Sequence, residues 1–494
     1  MADNTTDAPR ATSNRSTTPV SSSFKDFISS GWADRAADSP APRAQSPFAA
    51  ARRERISAQH PGKRLIVPAG AAKVRSNDTD YPFRAHTAFA HLTGWGADAV
   101  SGSVLVMEPT ATGHHSTLYF REAAGRDSDE FYANPDVGEF WTGPRPSLAH
   151  VAADLGLATA NLDGFAAVLD RIDADTLLVR GADRDVTDQV DGRRLLAADA
   201  DSVESDGDGE LARDLSELRL VKDSYEIAQM RLAVDATKQG FDDVIADLPQ
   251  IVAHERGERL VEGTFNRRAR ADGNTVGYDT IAASGPHACI LHWTRNDGAV
   301  TPGDVILLDA GIELESYYTA DITRTLPING TYTEVQRRVY DAVLEAADAA
   351  FAIVRPGIRF REIHAEAMKV IAAKTAEWGL LPVSAEESLE PDNQFHRRYM
   401  VHGTSHHLGL DVHDCAQARR DLYLDGVLEA GMVFTIEPGL YFQPGDLTVP
   451  EELRGIGARI EDDVVVTADG YENLSAGIPR SADEVEAWMR QLRA

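Results

Sequence analysis

Five residues with metal-binding side chains lie at or near the ends of apolar runs in the second half of this chain. They are Asp309, Asp321, His406, Glu437 and Glu461, in the runs VILLDAG, ADITRTL, TSHHLGL, VFTIEPG and ARIEDDVVV. Each run has the composition of a buried strand. Burying a carboxylate without a partner is costly, so four of them predict a fold in which the strand ends share a counter-charge. Two divalent cations would neutralise the carboxylates, with the imidazole as a neutral ligand, and such a pair activates water in hydrolases.

Taken singly, these residues have ordinary structural explanations. An Asp after an apolar strand is usually a turn residue, and a lone His is more often structural than a ligand. Glu437 before Pro438 could simply end a strand. As a set, however, they would leave a large uncompensated charge in the core, so the metal interpretation is the stronger one.

The alternation of side chains along a strand predicts which residues face one site, because positions i and i+2 point to the same side. Asp321 shares a face with Thr323, and a hairpin-like turn could bring Asp321 close to Asp309. Arg459 and Glu461 are also two positions apart, so they should line the same wall of a cleft.

The donor types indicate which metals to expect. His406 and His407 are adjacent and point in opposite directions if extended, so at most one of them binds the metal pair. Carboxylates with one imidazole favour hard ions such as Mn²⁺, while Zn²⁺, Co²⁺ and Fe²⁺ stay open. Cys289 and Cys415 lack the CxxC spacing of a four-cysteine zinc site. Two cysteines do not make a disulfide framework, which fits the reducing cytoplasm.

Composition and length limit the partners and the architecture. The net charge is −29, from 78 acidic and 49 basic residues, which argues against a nucleic-acid or acidic-membrane partner. No apolar stretch reaches the roughly 18 residues of a membrane span, and the polar N-terminus lacks a secretory apolar region. At 494 residues the chain is expected to form two or three domains.

The composition and the hydrophobic pattern predict four segments along the chain. Residues 1–45 are rich in Ser, Thr, Ala, Pro and Asp and are expected to form a mobile, disordered tail. Residues 46–200 alternate helical patterns with strands such as RLIVPAG and SVLVMEP, which predicts an α/β domain. Residues 201–215 include an acidic, glycine-containing stretch that we interpret as a linker. Residues 216–494 are expected to form a second domain in which helices, the first capped at Asp223, flank a curved and largely antiparallel sheet.

At these residues the chain resembles the aminopeptidase P (Xaa-Pro aminopeptidase) branch of the pita-bread metallopeptidases. The segments that carry the resemblance are ILHWTRND, LLDAGIELESYYTADITRTLPING, HGTSHHLGLDVHD, GMVFTIEPGLY and GIGARIEDDVVVT, in the family's order. The segment SNDTDYPFRAHTAFAHLTGW is similar to the family's N-terminal domain. The resemblance implies an α+β protein with an N-terminal α/β domain and a C-terminal pita-bread catalytic domain.

The resemblance also implies a role for each metal ligand. Asp309 would bind one metal ion, Asp321 and Glu461 would bridge both, and His406 and Glu437 would complete the coordination of the other. Glu437 would act as the general base toward the bridging water as well.

Further roles implied by the resemblance concern the substrate. His413 would stabilise the oxyanion at the scissile carbonyl, and His292 would sit beside the substrate and help with proton handling. His402, Tyr441 and Arg459 would shape the pocket for the proline that follows the cleaved bond. Arg459 could also meet a substrate carboxylate in short peptides.

Three features depart from the common family pattern. The spacing of twelve between Asp309 and Asp321 is one residue longer, which predicts a bulge or a looser turn near residues 315–318. Ala90 and His407 stand where relatives often carry an aromatic residue. His407 is expected to pack on the face that points away from the metals.

The implied activity is a metal-dependent aminopeptidase that releases the N-terminal residue from peptides with proline in the second position. The amide of proline has no N–H, so the enzyme needs a pocket matched to the ring. A prolidase, which cleaves only Xaa-Pro dipeptides with the same metal set, is the nearest alternative, and the motifs fit a methionine aminopeptidase less well. A non-catalytic pita-bread binding module is remote, because such modules have typically lost ligands. The resemblance further implies a homodimer or homotetramer.

Overall fold

Two domains with different kinds of sheet make up the computed structural model of the protein, which describes residues 18–19, 21–35, 39–77, 79–197 and 206–493. The first domain is built on a mixed five-stranded sheet, and the second on antiparallel sheets flanked by long helices. Within these ranges no helix is both long and apolar enough to cross a membrane. The predicted fold class, an α/β domain followed by an α+β domain, is confirmed.

The first domain alternates short helices with strands, as its sequence predicts. Its helices are α1 (Ser22–Ser29), α2 (Ser46–Gln59), α3 (Thr87–Thr93), α4 (Asp129–Ala133), α5 (Glu139–Thr142), α6 (Leu148–Leu155), α7 (Ala166–Leu169), α8 (Arg184–Ala197) and α9 (Asp206–Glu217). Its strands are β1 (Arg64–Pro68), β2 (Val74–Ser76), β3 (Thr79–Asp80), β4 (Val104–Thr110), β5 (Gly113–Phe120), β6 (Ala158–Asn161) and β7 (Thr176–Leu178). The main sheet has the order β6-β5-β4-β1-β7, and β2 pairs with β3.

Residues 21–35 differ from the mobile tail predicted for residues 1–45. Ser21 caps α1 by accepting a hydrogen bond from the N–H of Phe24. The ring of Trp32 meets that of Phe131 edge to face, with ring centres 5.5 Å apart. Such aromatic contacts offset the entropy of ordering, although the surrounding composition is polar. Residues 1–17, 20 and 36–38 lie outside the described residues.

The predicted linker over residues 201–215 is also partly helical. Residues 206–215 belong to α9, and Leu211 and Leu215 are buried in an apolar cluster to which both domains contribute. Two buried leucines, each stabilising by about 1.5–3 kcal/mol, explain why this acidic stretch folds as a helix. Residues 198–205 lie outside the described residues, and the exact domain boundaries remain a prediction.

The second domain places long helices outside its sheets. Its helices are α10 (Ser224–Val252), α11 (Gly257–Asp272), α12 (Glu334–Ile353), α13 (Phe360–Glu377), α14 (Ala385–Ser388) and α15 (Ala482–Leu492). Its strands are β8 (Thr275–Val276), β9 (Ile281–Ser284), β10 (Val305–Ala310), β11 (Ile312–Glu313), β12 (Ile322–Pro327), β13 (Val433–Ile436), β14 (Gly439–Tyr441), β15 (Gly457–Arg459), β16 (Asp462–Val466) and β17 (Tyr471–Asn473). Asp223 and Glu226 form the capping box predicted at the start of α10.

Antiparallel pairs account for the sheets of this domain. β10 lies between β9 and β12, β16 lies between β13 and β17, and β14 pairs with β15. An isolated bridge between Thr323 and Glu461 connects β12 to the chain between β15 and β16. This bridge therefore joins the sheet of β9, β10 and β12 to the segment that links β15 to β16, and α10, α12 and α13 contribute to the main apolar core.

Two predicted strands are less regular than expected. The run TSHHLGL follows β13 through three backbone hydrogen bonds, including one from the N–H of Thr435 to the carbonyl of His406 (2.9 Å). It forms no regular strand, because the N–H groups of His406 and His407 donate to the side chains of Thr435 and Tyr423 instead. The run ARIEDDVVV is likewise interrupted between β15 and β16, so Arg459 and Glu461 do not share one continuous strand.

The connection between the two aspartates forms the looser turn that its length predicts. The N–H of Leu314 donates to the carbonyl of Tyr318, and Tyr317 adopts a left-handed conformation with φ of 70°. The buried hydroxyl of Tyr317 accepts a hydrogen bond from the N–H of Ala85 in the first domain (3.2 Å). Arg84 lies over the same ring, 4.7 Å from its centre. This turn therefore ties the two domains together.

Candidate metal centre

The five predicted ligands come from five places along the second domain. Asp309 lies within β10, and Asp321 directly precedes the neighbouring strand β12. Glu437 follows β13, Glu461 occupies the break between β15 and β16, and His406 lies in the extended segment beside β13. All five side chains line one cleft.

His406 is the centre of the closest group. Its Nε2 atom lies 3.2 Å from Asp321 Oδ2, 3.7 Å from Glu437 Oε1 and 3.9 Å from Glu461 Oε1. One ligand atom each from Asp321, His406 and Glu461 fall within 4.8 Å of one another, a separation that a metal ion can span. The opposite orientation predicted for His407 is confirmed, because its buried ring stacks on Phe360 with ring centres 4.6 Å apart.

Asp309 joins the group through two polar neighbours. Its Oδ1 atom lies 2.6 Å from the hydroxyl of Tyr278, which also hydrogen-bonds to Asp321. Its other oxygen accepts a hydrogen bond from Arg459. Thr323, opposite Asp309 in the β10–β12 ladder, donates to Glu461 Oε2 (2.7 Å). The shared face predicted for Asp321 and Thr323 therefore opens onto the same cluster.

Burial and mutual repulsion make the charged forms of these carboxylates unfavourable. Burial raises the pKa of Glu437 to about 7, and it raises the pKa of Glu461 well above its usual range, with further repulsion from Asp321. Burial also raises the pKa of Asp309. Burial alone would lower the pKa of His406, but its hydrogen bond to Asp321 and the charge of Glu437 raise it to about 9. If all four carboxylates were ionised, the cluster would thus carry negative charge that the protein alone does not compensate.

These residues fit a pair of divalent cations. Oxygen donors with one imidazole suit hard or borderline ions. The single hydroxyl proton of Tyr278 cannot satisfy both Asp309 and Asp321, so at least one carboxylate oxygen lacks a full partner. Burial and the closeness of the carboxylates also raise the pKa values of Asp309, Glu437 and Glu461, and bound cations would lower these pKa values because they stabilise the ionised forms.

The cleft above the ligands has a volume of about 670 Å³. Pockets for small ligands and peptide ends occupy several hundred cubic ångströms and combine an apolar wall with a few polar groups. The apolar wall consists of Ile281, Leu291 and Val412, and Thr294 and Ser405 add hydroxyls. The cleft is therefore large enough for a short peptide beside the metal ligands.

His402 and Arg459 line one side of the cleft, and Tyr441, which is buried behind it and does not line it, links them by hydrogen bonds. His402 Nδ1 lies 2.6 Å from the carbonyl of Gly403, so it carries the proton, and Nε2 accepts from the Tyr441 hydroxyl (2.8 Å). That hydroxyl accepts from Arg459 Nη1 (3.0 Å). Burial and the charge of Arg459 lower the pKa of His402 to about 3, and burial raises that of Tyr441 to about 12. Both rings are therefore neutral near pH 7.

His413 and His292 line the same cleft. The rings of His413 and His406 lie 4.2 Å apart between their centres. Partial burial and the nearby charge of His406 keep the pKa of His413 below its usual range, so His413 is neutral near pH 7. Two imidazoles thus reach the space beside the ligand cluster from separate loops.

Several polar residues that support the site escape the sequence analysis. Tyr278 stands 31 and 43 positions from the two aspartates that it contacts. The carboxylate of Asp463 accepts the N–H of Asp321 (3.2 Å). Arg324, fully buried in β12, donates to the backbone carbonyl of Glu461 (2.7 Å). An arginine in the middle of an apolar strand is a signal that could have been used, because a buried guanidinium requires acceptors.

The fold and the carboxylate-rich centre define a metal-dependent hydrolase, and comparisons with known proteins agree. Residues 228–468 match metallopeptidase family M24, and residues 49–178 match the N-terminal domain of aminopeptidase P. The chain is 50% identical to Xaa-Pro aminopeptidase 1 of Streptomyces coelicolor, over 96% of this chain and 93% of that protein. It is 32% identical to the Xaa-Pro aminopeptidase of Escherichia coli, over 90% of this chain and 97% of that protein.

Solved structures give the same result. The low-pH form of aminopeptidase P from Escherichia coli superposes with a TM-score of 0.77 at 30% identity, covering 91% of this chain and 99% of the other. The aminopeptidase PepP of Pseudomonas aeruginosa gives a TM-score of 0.77 at 29% identity, covering 92% of this chain and all of the other. The chain belongs to metallopeptidase family M24, in its aminopeptidase P branch.

Proposed function

We propose that this metallopeptidase removes the N-terminal residue from peptides whose second residue is proline. The observation that carries the proposal is that one cleft combines the carboxylate–histidine cluster with His402 and Arg459, which the buried hydroxyl of Tyr441 joins by hydrogen bonds. The 50% identity to an Xaa-Pro aminopeptidase over nearly the whole chain supports it.

Two divalent cations, for which we propose Mn²⁺, would be held by Asp309, Asp321, His406, Glu437 and Glu461. When bound, such cations polarise the scissile carbonyl and lower the pKa of water. The donor set supports Mn²⁺ because four of the five ligands are carboxylates.

In the proposed mechanism, Glu437 takes a proton from the attacking water and delivers it to the imino nitrogen of proline. Its carboxylate lines the cleft 3.7 Å from His406 Nε2, within the ligand cluster where the water would be activated. Neutral His413 donates its N–H to the oxygen of the scissile carbonyl as negative charge develops there. His292, on the same cleft, assists in proton handling.

The neutral ring of His402 lines the cleft and would contact the proline ring, and buried Tyr441 would shape the pocket by holding His402 in place. Because the amide of proline has no N–H to donate, shape and apolar contact must replace the hydrogen bond that ordinary peptidases use. The ordered tautomer of His402 supports this role, since its two nitrogens are already engaged and its carbon edge is free to pack.

The hydrogen bonds that Arg459 already makes within the protein favour an aminopeptidase over a prolidase. A dipeptidase must neutralise the carboxylate that directly follows the proline. Arg459 is only 4% exposed and donates to Asp309, Tyr441 and Thr323, so it is poorly available for a substrate carboxylate. We therefore assign Arg459 to shaping the pocket, and we expect peptides longer than two residues to be preferred.

The deciding experiment offers the Mn²⁺-loaded protein an Xaa-Pro dipeptide and an Xaa-Pro-Xaa tripeptide in parallel. Rapid release of the first residue from the tripeptide is the expected result. Cleavage confined to the dipeptide would assign the protein as a prolidase, and cleavage of neither would reject the proposal.

We further propose that the protein acts in the cytoplasm as a homodimer or homotetramer. Its two buried cysteines, Cys289 and Cys415, are both free, which supports a reducing compartment. Light scattering at micromolar concentration tests the oligomeric state, and a monomer there would contradict that part of the proposal.

A further inference from the structure

One loop of the second domain supplies part of the cleft wall and depends on a single buried carboxylate. The loop runs from Ser284 at the end of β9 to Gly298, and begins with a 3₁₀ helix over Gly285–Cys289. Leu291, His292 and Thr294, near its middle, line the cleft. The position of His292 relative to the metal ligands therefore depends on how this loop is held.

Glu258, in the first turn of α11, is fully buried and accepts four hydrogen bonds from the loop. Its Oε1 atom accepts from the N–H of Ser284 (2.8 Å) and bonds to His287 Nδ1 (2.7 Å). Its Oε2 atom accepts from Trp293 Nε1 (2.9 Å) and from the N–H of Gly298 (2.7 Å). One oxygen thus holds the first part of the loop and the other holds its second part.

Packing around Glu258 closes this arrangement. The rings of His287 and Trp293 stack with centres 3.9 Å apart, so the two parts of the loop also touch each other. A Cβ atom at Gly298 would lie 2.7 Å from His287 Cε1 and 2.8 Å from Glu258 Oε2, so any larger residue would push the loop outward. The backbone N–H of Glu258 donates in turn to the carbonyl of Gly298 (3.1 Å).

We propose that Glu258 is a positioning residue for catalysis, which acts by holding the Ser284–Gly298 loop so that His292 faces the ligand cluster. This inference rests on the proposed role of His292 in proton handling. Its four hydrogen bonds fall on both sides of His292 in the loop, so both ends of the segment that carries His292 are held by this one carboxylate. A displacement of 1 Å at a catalytic group costs up to about a hundredfold in rate.

A double-mutant cycle tests the proposal. In Glu258→Gln the amide offers one oxygen, while its NH₂ faces donors, so two of the four hydrogen bonds are lost. We expect this variant to keep its bound Mn²⁺ and its KM for an Xaa-Pro-Xaa tripeptide within about twofold, but to lose about tenfold to a hundredfold in kcat. His292→Ala should lose at least as much, and the variant with both changes should be no slower than His292→Ala alone.

Asp208→Asn is the matched control, because Asp208 is a buried carboxylate of the first domain that accepts hydrogen bonds from Leu178, Arg180 and Arg194. It should lower the thermal midpoint without changing kcat. If Glu258→Gln does not fold, Trp293→Phe replaces it, since that change removes one donor to Glu258 and keeps the stacked ring.

The outcomes separate the two proposals. If Glu258→Gln, or Trp293→Phe in its place, lowers kcat by the same factor with and without His292→Ala, the two residues act independently. That result would overturn the positioning role while leaving His292 in the mechanism. An unchanged kcat in His292→Ala would remove His292 from the mechanism and the positioning role with it. Failure of the unmodified protein to cleave the tripeptide would instead reject the proposed activity.

Discussion

Replacing Asp414 by Asn should destabilise the protein markedly, although this residue binds no metal. Asp414 is 1% exposed and follows His413 directly. Its Oδ1 atom accepts from Arg219 Nε (2.8 Å) and from the N–H of Cys415 (2.7 Å), and its Oδ2 atom lies 3.6 Å from the buried Nζ of Lys222. The neutral variant would leave Arg219 and Lys222 buried without the carboxylate that lies nearest to them.

The size of the expected destabilisation follows from the charges around Asp414. Burial alone would raise the pKa of Asp414, but the charges of Arg219 and Lys222 lower it to about 2 from its ordinary 3.8. That difference corresponds to about 2 kcal/mol of stability near neutral pH. Leaving the buried cations unpaired adds to it, and breaking a buried ion pair typically costs about 3–5 kcal/mol in total. We therefore expect Asp414→Asn to lower the free energy of unfolding by about 3–5 kcal/mol at pH 7.

The pH dependence has a definite sign. A carboxyl whose pKa is lower in the folded state stabilises the fold at pH values above its unfolded pKa, and this contribution disappears as the pH falls toward the folded pKa. The difference between the unmodified protein and Asp414→Asn should therefore be constant from pH 5 to 7 and narrow by about 2 kcal/mol between about pH 4 and pH 2.

Urea unfolding, followed by tryptophan fluorescence at several pH values, measures this difference. Asp469→Asn makes the same chemical change at an exposed position and serves as the control. A loss below about 1 kcal/mol at pH 7, comparable with that of a surface pair, would refute the reasoning. So would a difference that stays constant through the acid range.

Three further changes test the site and its support. Glu437→Gln should lower kcat by about 10²–10⁴-fold with little effect on the fold, and substantial retained activity would remove Glu437 from the base role. Chelated protein should be inactive and regain activity with Mn²⁺, so full activity in excess chelator without detectable metal would exclude the two-metal mechanism. Arg84→Met removes the guanidinium that pairs with Glu313 and donates to the carbonyl of Leu410. This change should lower the free energy of unfolding by about 1–3 kcal/mol, which is measured as a lower urea midpoint. An unchanged midpoint would show that this contact between domains is dispensable.

The part of the site that follows from local pattern could be predicted from sequence. Asp309, Asp321, Glu437 and Glu461 stand out because a carboxylate beside an apolar run conflicts with burial unless it has a partner. The opposite orientation of His406 and His407 follows from simple alternation. The capping box at Asp223 is similarly local, since its four residues determine the geometry among themselves.

The part that depends on contacts between distant segments could not be predicted. Tyr278 bridges two aspartates only because β9 and β12 both pair with β10. Glu258 has the sequence context of an ordinary first-turn acid of a helix, and only the fold brings a loop across it. The segment around His406 forms no regular strand because two side chains accept its backbone N–H groups. Thr435 accepts the N–H of His406, and Tyr423 accepts the N–H of His407. Helix α1 escapes prediction because Trp32 packs on a ring about a hundred residues further along the chain.

The turn between Asp309 and Asp321 separates the contact between the domains from the spacing of the metal ligands, which a shorter hairpin would couple. Its tip belongs to the domain contact, through Tyr317 and through the carbonyl of Glu315, which accepts the N–H of Ala97 (2.8 Å). Its base belongs to the metal centre, where the β10–β12 ladder pairs Asp309 with Thr323. Because the ladder sets the spacing of the ligands, residues can be gained or lost at the tip without shifting them. We therefore expect a change in the length of the tip to alter the contact with the first domain and to leave the metal ligands in place.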